Sequence, residues 1–508
     1  MAVNQLKAGA ALNYVVLGLS NLVGLLYTPY MLRMMGQSEY GLYSLVASVI
    51  AYLTIMDFGF GNAIIRYTAK FRAEGKLQEQ YSMFGMFLIL YSIIGVIAFL
   101  VGLGLYFNID SLFGDTMTDY ELGRARILML IMIVNLAFTF PLGIFGSIVT
   151  AYEDFIFQKV VQIVRIILNT AVMICLLRMG YRAVAMVVAQ TIFNLGTLLL
   201  NYFYCRYKIH IKILFGHFQW GFLKEVAVYS FWIFLNAIMD RIYWSTGQFV
   251  LGAISGTIAV AVFAVAIQFQ SMYMSFSTAI AGVFLPRVTA MVTTHKTDRE
   301  LSDLFIRTGR IQYIILAFIL SGFILFGKQF IILWAGPNYA DSYIIAMLFF
   351  IPLTVPLIQN MGITILQARN QMKFRSILYI CIALASLVAQ IILARFWGGI
   401  GCAIGTAGAL VLGQILIMNI YYQKRQHLNI VQFWKEISKM SIVPILLIIL
   451  SSLLLRSIQI DNFVKLSIGI IIFSIIYIPS FWKFGMNNYE RELIGSPVKN
   501  LFLRICKQ

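Results

Sequence analysis

The stretch 226-VAVYSFWIFLNAIMDRIYWSTGQFVLG-252 decides how the chain is read. Its length suits one helical crossing of a bilayer, whose hydrocarbon core is about 30 Å thick. Yet Asp240 and Arg241 stand side by side at its middle. An Arg at the centre of a membrane helix costs roughly 2.5–3.5 kcal/mol on insertion scales, and more against lipid. Such a residue belongs against a polar cavity or a partner.

Composition settles the medium around that segment. Hydrophobic residues make up 61% of the 508, charged residues only 11%, and mean hydropathy is +0.86. Soluble domains carry about 25% charged residues. Apolar runs of about twenty residues recur from end to end, and no short alternating segments of a β-barrel appear. The expected fold is an all-α polytopic membrane protein with fourteen spans. They are 10–32, 40–65, 82–107, 123–149, 160–177, 183–204, 226–252, 258–285, 311–333, 343–366, 376–396, 401–422, 440–457 and 463–482. The first is read as a retained helix, since it is too long for a signal peptide and no small-residue cleavage site follows. Cys175, Cys205, Cys381, Cys402 and Cys506 are scattered without C-x-x-C spacing, which indicates neither a disulfide framework nor a zinc site.

Charge sets the orientation. With the N-terminus inside, 27 Lys and Arg lie in the cytoplasmic connections and 9 in the external connections or the outer ends of the spans beside them, while Arg165 and Arg241 fall deep within spans. Both termini are therefore expected in the cytoplasm. The net charge of +18 is explained by basic loops facing anionic inner-leaflet lipid. No extramembrane stretch is long enough to form a nucleic-acid-binding domain.

The chain also repeats itself. YMLRMMGQSEYGLYSL from residue 30 lies over FVLGAISGTIAVAVFA from 249, an offset of 219, and the stretches from 180 and 399 match at the same offset. Six spans separate the copies, so both run in the same direction. This predicts a six-helix lobe over 1–210, a second over 220–425, and two appended helices with a tail over 435–508. Parallel repeats of this kind build transporters with a central site near the midplane.

Helical spacing sharpens the seventh span. Asn236, Asp240, Tyr243 and Gly247 form one stripe, and Arg241, Ser245 and Gln248 a second about 100° around. The stripes read as a cavity wall, or alternatively as an ion pair, Asp240 with Arg165, that only orders the bundle. Polar residues at similar depth include Asn135, Asn169, Gln190, Asn194 and Gln268. Such amides also join helices to one another. Together with Tyr they suit a multi-hydroxyl ligand such as a sugar. Asp57, in TIMDFGFGNAIIRY, is a candidate site for a coupling proton or Na⁺, or a helix cap; Asp240 is the other coupling candidate. No Walker motif, His-Glu metal cluster, catalytic carboxylate pair or G-x-S-x-G elbow appears. The chain is read as a non-enzyme without cofactor or metal.

Two elements carry a family likeness. MGQSEYGLY, from residue 35, and DFGFGNAIIR, from 57, resemble the amino-terminal motifs of the Wzx-type polysaccharide and O-antigen repeat-unit flippases. These form the polysaccharide-transport branch of the multidrug/oligosaccharidyl-lipid/polysaccharide exporter (MOP) superfamily. The resemblance implies ion-coupled, alternating-access transfer of a polyprenyl-pyrophosphate-linked oligosaccharide across the bacterial inner membrane. The product feeds lipopolysaccharide, O-antigen or capsule assembly, with glycosyltransferases and a glycan polymerase as partners. It implies cationic cavity residues too: Arg241 is the best placed match, then Arg165, Arg66 and Arg33. Arg suits this role because its planar fork pairs bidentately with phosphate and keeps its charge when desolvated. Related members supply the alternatives, a cation-coupled multidrug antiporter and a lipid II flippase.

Overall fold

In a computed structural model of the chain, residues 5–215, 220–293, 297–369, 371–456, 458–493 and 495 are described. Helices α1 (Gln5–Met35), α2 (Gln37–Leu53), α3 (Phe60–Ala73), α4 (Leu77–Phe107) and α5 (Ile109–Phe113) open the chain. They are followed by α6 (Asp119–Ala151), α7 (Phe155–Arg178), α8 (Ala183–Tyr207), α9 (Trp220–Thr293), α10 (Asp298–Trp334) and α11 (Asp341–Ile358). The remainder are α12 (Asn360–Ala368), α13 (Lys373–Leu410), α14 (Met418–Lys424), α15 (Ile430–Leu455) and α16 (Phe463–Phe484), with a π-helical turn, Val411–Ile417, leading into α14. No strand occurs among the described residues.

Twelve of the described helical stretches are long and apolar enough to cross a membrane. Two are far too long for a single crossing. Ala237–Thr278 and Lys373–Lys424 contain 42 and 52 residues, or about 63 and 78 Å of helix, against a core of about 30 Å. Each contains a break. Gly256 has φ +79° inside α9, and Trp397 and Gly398 leave helical geometry inside α13. The arms on either side fold back on each other. A Cβ at Gly247 would lie 2.6 Å from the Phe263 ring, and one at Gly405 would lie 2.9 Å from the Gln390 backbone nitrogen. Both breaks fall in the gaps between predicted spans, 252–258 and 396–401, so the two hairpins restore the fourteen expected runs.

Four expected spans differ in detail. The second, 40–65, is not one helix: α2 ends in a 3-10 turn, Thr54–Asp57, and Phe58 (φ 51°) and Gly59 (φ 73°) turn left-handed before α3. The tenth divides at Gln359 into α11 and α12. The ninth begins at Asp298 rather than 311, because Thr297 and Glu300 form a capping box that satisfies the first turn. The thirteenth starts at Ile430, where the Asn429 side chain accepts from the Gln432 N–H. Polar residues that read as loop are therefore helix in two of these places, since caps and buried partners outweigh local hydrophilicity.

Packing divides the chain into two units, Met1–Ala264 with Tyr379–Gly405, and Val265–Leu378 with Thr406–Gln508. In the first unit α6 is central and packs on α2, α3, α4 and α8. Gly95 permits one of these approaches, since a Cβ there would sit 2.7 Å from the Ala137 carbonyl oxygen. In the second unit α10 packs on α11, α15 and α16. About three turns into α10, Arg310 is 5% exposed and lies between two carboxylates. It grips Glu490 through Nε and Nη2 (2.5 and 3.0 Å) and Glu436 through Nη1 (2.6 Å). A residue expected in a solvated basic connection is thus an interior ion pair.

A cationic cavity walled by amides

A cavity of about 320 Å³ lies in the first unit. Helix α2 contributes Tyr43, Ala47, Ile50 and Ala51, with Thr54 from the 3-10 turn beyond it. These residues are spaced i, i+4, i+7, i+8 and i+11, which places them on one helical face. Helix α6 supplies Met132, Asn135, Leu136 and Thr139, and α8 supplies Val187, Gln190, Thr191 and Asn194. Arg165 enters from α7 and Arg241 from α9.

The polar side chains tie the wall together. Asn194 Nδ2 donates to Asn135 Oδ1 and to Thr139 Oγ1, both at 2.9 Å, joining α8 to α6. The Tyr43 hydroxyl donates to Gln190 Oε1 at 3.1 Å, joining α2 to α8. The amides therefore do both jobs weighed for them: they join helices and they line the hollow. Thr191 Oγ1 and Asn169 Oδ1, the latter one turn along α7 from Arg165, are buried with no protein partner among the described residues.

The arginines are treated differently from the wall. Arg165 is half-buried and Arg241 exposed to the cavity. Among the described residues, neither guanidinium makes a salt bridge or hydrogen bond to protein. The locking pair of Arg165 with Asp240 is thus not formed; Asp240 is exposed and has other interactions. A guanidinium far from bulk water is stable only with water or an anion beside it. Two such groups, on different helices, line one hollow. Their planar donor forks suit phosphate or carboxylate oxygens.

The other candidates lie elsewhere. Tyr243 is 2% exposed and stacks on Tyr379, with ring centroids 5.6 Å apart, so this part of its stripe packs against α13. Gly247 fits against Phe263. Gln248 is half-buried, and Gln268 is half-buried in the second unit. Arg33 is exposed in the last turn of α1, and Arg66 is exposed midway along α3, 5.7 Å from the Tyr67 ring centroid. The Asn236 side chain lies outside the described residues. Asp57 is half-buried at the end of the 3-10 turn, three residues from Thr54, and accepts the Tyr91 hydroxyl at 2.6 Å. Two ties connect this turn region to α9: Tyr52 is hydrogen-bonded to Thr246, and Phe58 lies 4.8 Å from Phe234 between ring centroids.

Sequence reasoning found both arginines and three wall amides. It missed Tyr43, Thr54, Thr139 and Thr191. The pairs Asn135/Thr139 and Gln190/Asn194 at i, i+4 were the available signal, because each places two polar groups on one face.

Residues 6–292, more than half of the chain, match the family described as polysaccharide biosynthesis protein. No curated protein matches in sequence. Among solved structures, the lipid II flippase MurJ in an inward closed conformation superposes with a TM-score of 0.70 at 15% identity, covering 92% of this chain and 98% of that one. An inward-facing multidrug resistance MATE family transporter of the MOP superfamily gives 0.63 at 16% identity, covering 82% and 99%. A MOP superfamily transporter from Pyrococcus furiosus, described by the reverse polarity of its binding pocket, gives 0.59 at 16%, covering 83% and 96%. At these identities the likeness establishes a shared fold.

Proposed function

Because the chain belongs to the polysaccharide biosynthesis protein family, we propose that it is a flippase for a polyprenyl-pyrophosphate-linked oligosaccharide. It works in the bacterial inner membrane, moving its cargo from the inner to the outer leaflet for surface polysaccharide assembly. Glycosyltransferases supply the substrate and a polymerase consumes it. One observation carries this reading: Arg165 and Arg241 face the same cavity without a protein partner among the described residues.

The chemistry follows from the wall. A pyrophosphate is the most charged part of the cargo and the most expensive to bring into a low-dielectric interior. Two fixed guanidiniums replace its hydration with charge-assisted hydrogen bonds. Asn135, Gln190, Asn194 and Tyr43 offer donors and acceptors to sugar hydroxyls, while the polyprenyl chain stays in lipid. A cationic drug would meet the wrong sign of charge here, which disfavours the multidrug reading. Asp57 and Asp240 are the coupling carboxylates of this proposal, with H⁺ or Na⁺ as the driving ion. Asp57 suits the task because its helix break adjoins the cavity at Thr54 and touches α9 on both sides of Arg241.

The test is export of surface glycan from cells carrying Arg241→Ala or Arg165→Ala. Loss of one charge-assisted phosphate contact, about 1.5–3 kcal/mol, predicts a fall of roughly tenfold or more, with lipid-linked glycan accumulating on the inner leaflet. Lys at either position should restore part of the export. Undiminished export by both Ala variants would remove the arginines from the mechanism.

A further inference from the structure

The hairpin turn of α9 is wedged beside the start of α2 and the start of α6. Thr257, just past the turn, and Ser38, in the first turn of α2, are 219 residues apart, which is the offset of the internal repeat. They occupy equivalent places in the two copies, and their hydroxyl oxygens lie 3.4 Å apart. When two copies are related by a two-fold axis, a residue meets its own equivalent only close to that axis. The contact therefore marks the seam of the repeat.

Glu121 closes this seam. Its Oε1 accepts from the Ser38 hydroxyl at 2.5 Å and from the Thr257 hydroxyl at 2.7 Å. Its Oε2 accepts from the Thr118 N–H at 2.9 Å and the Thr118 hydroxyl at 3.0 Å. Backbones are pressed together around it. A Cβ at Gly41 would lie 1.9 Å from the Thr257 carbonyl oxygen, and the Thr116 hydroxyl donates to the Gly252 carbonyl at 2.7 Å. The cavity wall begins at Tyr43, five residues or about 7.5 Å along α2 from Ser38. By the charge asymmetry of the loops, this end of the helices faces away from the cytoplasm.

We propose that Ser38, Glu121 and Thr257 form an outer gate, a carboxylate latch on the repeat seam that shuts the cavity from the outside and releases during transport. The inference rests on the cavity being a transport passage. Two features distinguish the latch from permanent glue. Its bonds are hydroxyl to carboxylate, which water replaces at small net cost when the seam parts. Beside it, Glu39 is 5% exposed, accepts the Tyr120 hydroxyl at 3.3 Å on Oε1, and has its Oε2 buried without a partner among the described residues. An orphaned buried carboxylate oxygen destabilises the closed arrangement, and opening to water relieves it. The latch is therefore poised between two states.

Two measurements in a chain stripped of its five cysteines test this. Oxidation of the pair Ser38→Cys with Thr257→Cys should form a disulfide, stop surface-glycan export, and release it on reduction, while each single variant exports normally under oxidant. In a separate background, Ala47→Cys in the cavity wall reports access by a membrane-impermeant maleimide added outside. Adding Glu121→Gln should raise its labelling rate roughly fivefold, the shift expected from losing about 1 kcal/mol of closure. Thr257→Val, which removes one donor and leaves the capping box intact, should act in the same direction if Glu121→Gln lowers protein abundance. Labelling reads opening whatever the cargo, so an error in the glycan assignment leaves this arm standing. The proposal falls if the cysteine pair fails to cross-link in normally abundant protein, if cross-linked protein exports at the untreated rate, or if both latch variants leave labelling unchanged.

Discussion

Arg310 and the cavity pair Arg165 and Arg241 are the same side chain handled in opposite ways. Arg310 uses Nε, Nη1 and Nη2 on Glu490, Glu436 and the Gly485 carbonyl, and is 5% exposed. Glu490 is itself 1% exposed and also accepts the Asn487 N–H at 2.9 Å. Every strong donor there is consumed by protein, leaving nothing for a ligand. Arg165 and Arg241 keep their forks for whatever fills the hollow. A charge inside a membrane protein is evidence of function only after its partners are counted.

Breaking the first arrangement should have the largest effect on the protein itself. Arg310→Ala strands the buried Glu490 carboxylate and takes a partner from the half-buried Glu436, and should destabilise the second unit by about 3–5 kcal/mol. Thermal unfolding in detergent would show a large drop in midpoint, and a midpoint near wild type would mean that the network contributes little. The contrast sharpens with Arg241→Ala and Arg165→Ala in the same assay. These remove cost rather than support, so their midpoints should stay within a few degrees of wild type while export falls. Loss of folding in either would turn that arginine into a structural residue. The smallest effect belongs to the rim of the Arg310 network. Lys439 lies 3.6 Å from Glu436 with its side chain 63% exposed, so Lys439→Ala should change stability by no more than about 0.5 kcal/mol.

The long apolar runs were legible because a bilayer imposes one length and one polarity on each crossing. The hairpin breaks at Gly256 and at Trp397–Gly398 fell where the runs paused. The break at Phe58–Gly59 did not, since the sequence around it stays apolar and only the backbone turns left-handed. Arg241 was legible from its depth alone. Tyr243 was not: its place on the stripe beside Asp240 suggested the hollow, and stacking on Tyr379 decided otherwise. Tyr43 was invisible for the converse reason, as nothing local distinguishes a Tyr that lines a cavity from one that packs.

By itself the sequence determined the helical, apolar character of the chain and where its apolar runs pause, and it carries the loop-charge asymmetry and the repeat offset of 219, because hydropathy, loop charge and register are properties read along a chain. It also determined that an uncompensated guanidinium would have to be accommodated somewhere. Tertiary structure alone decided which polar groups share a hollow, which arginine is locked between carboxylates, and that Ser38 meets Thr257 under Glu121. These depend on which helix faces turn toward each other, and that choice is made by packing between residues distant in the chain.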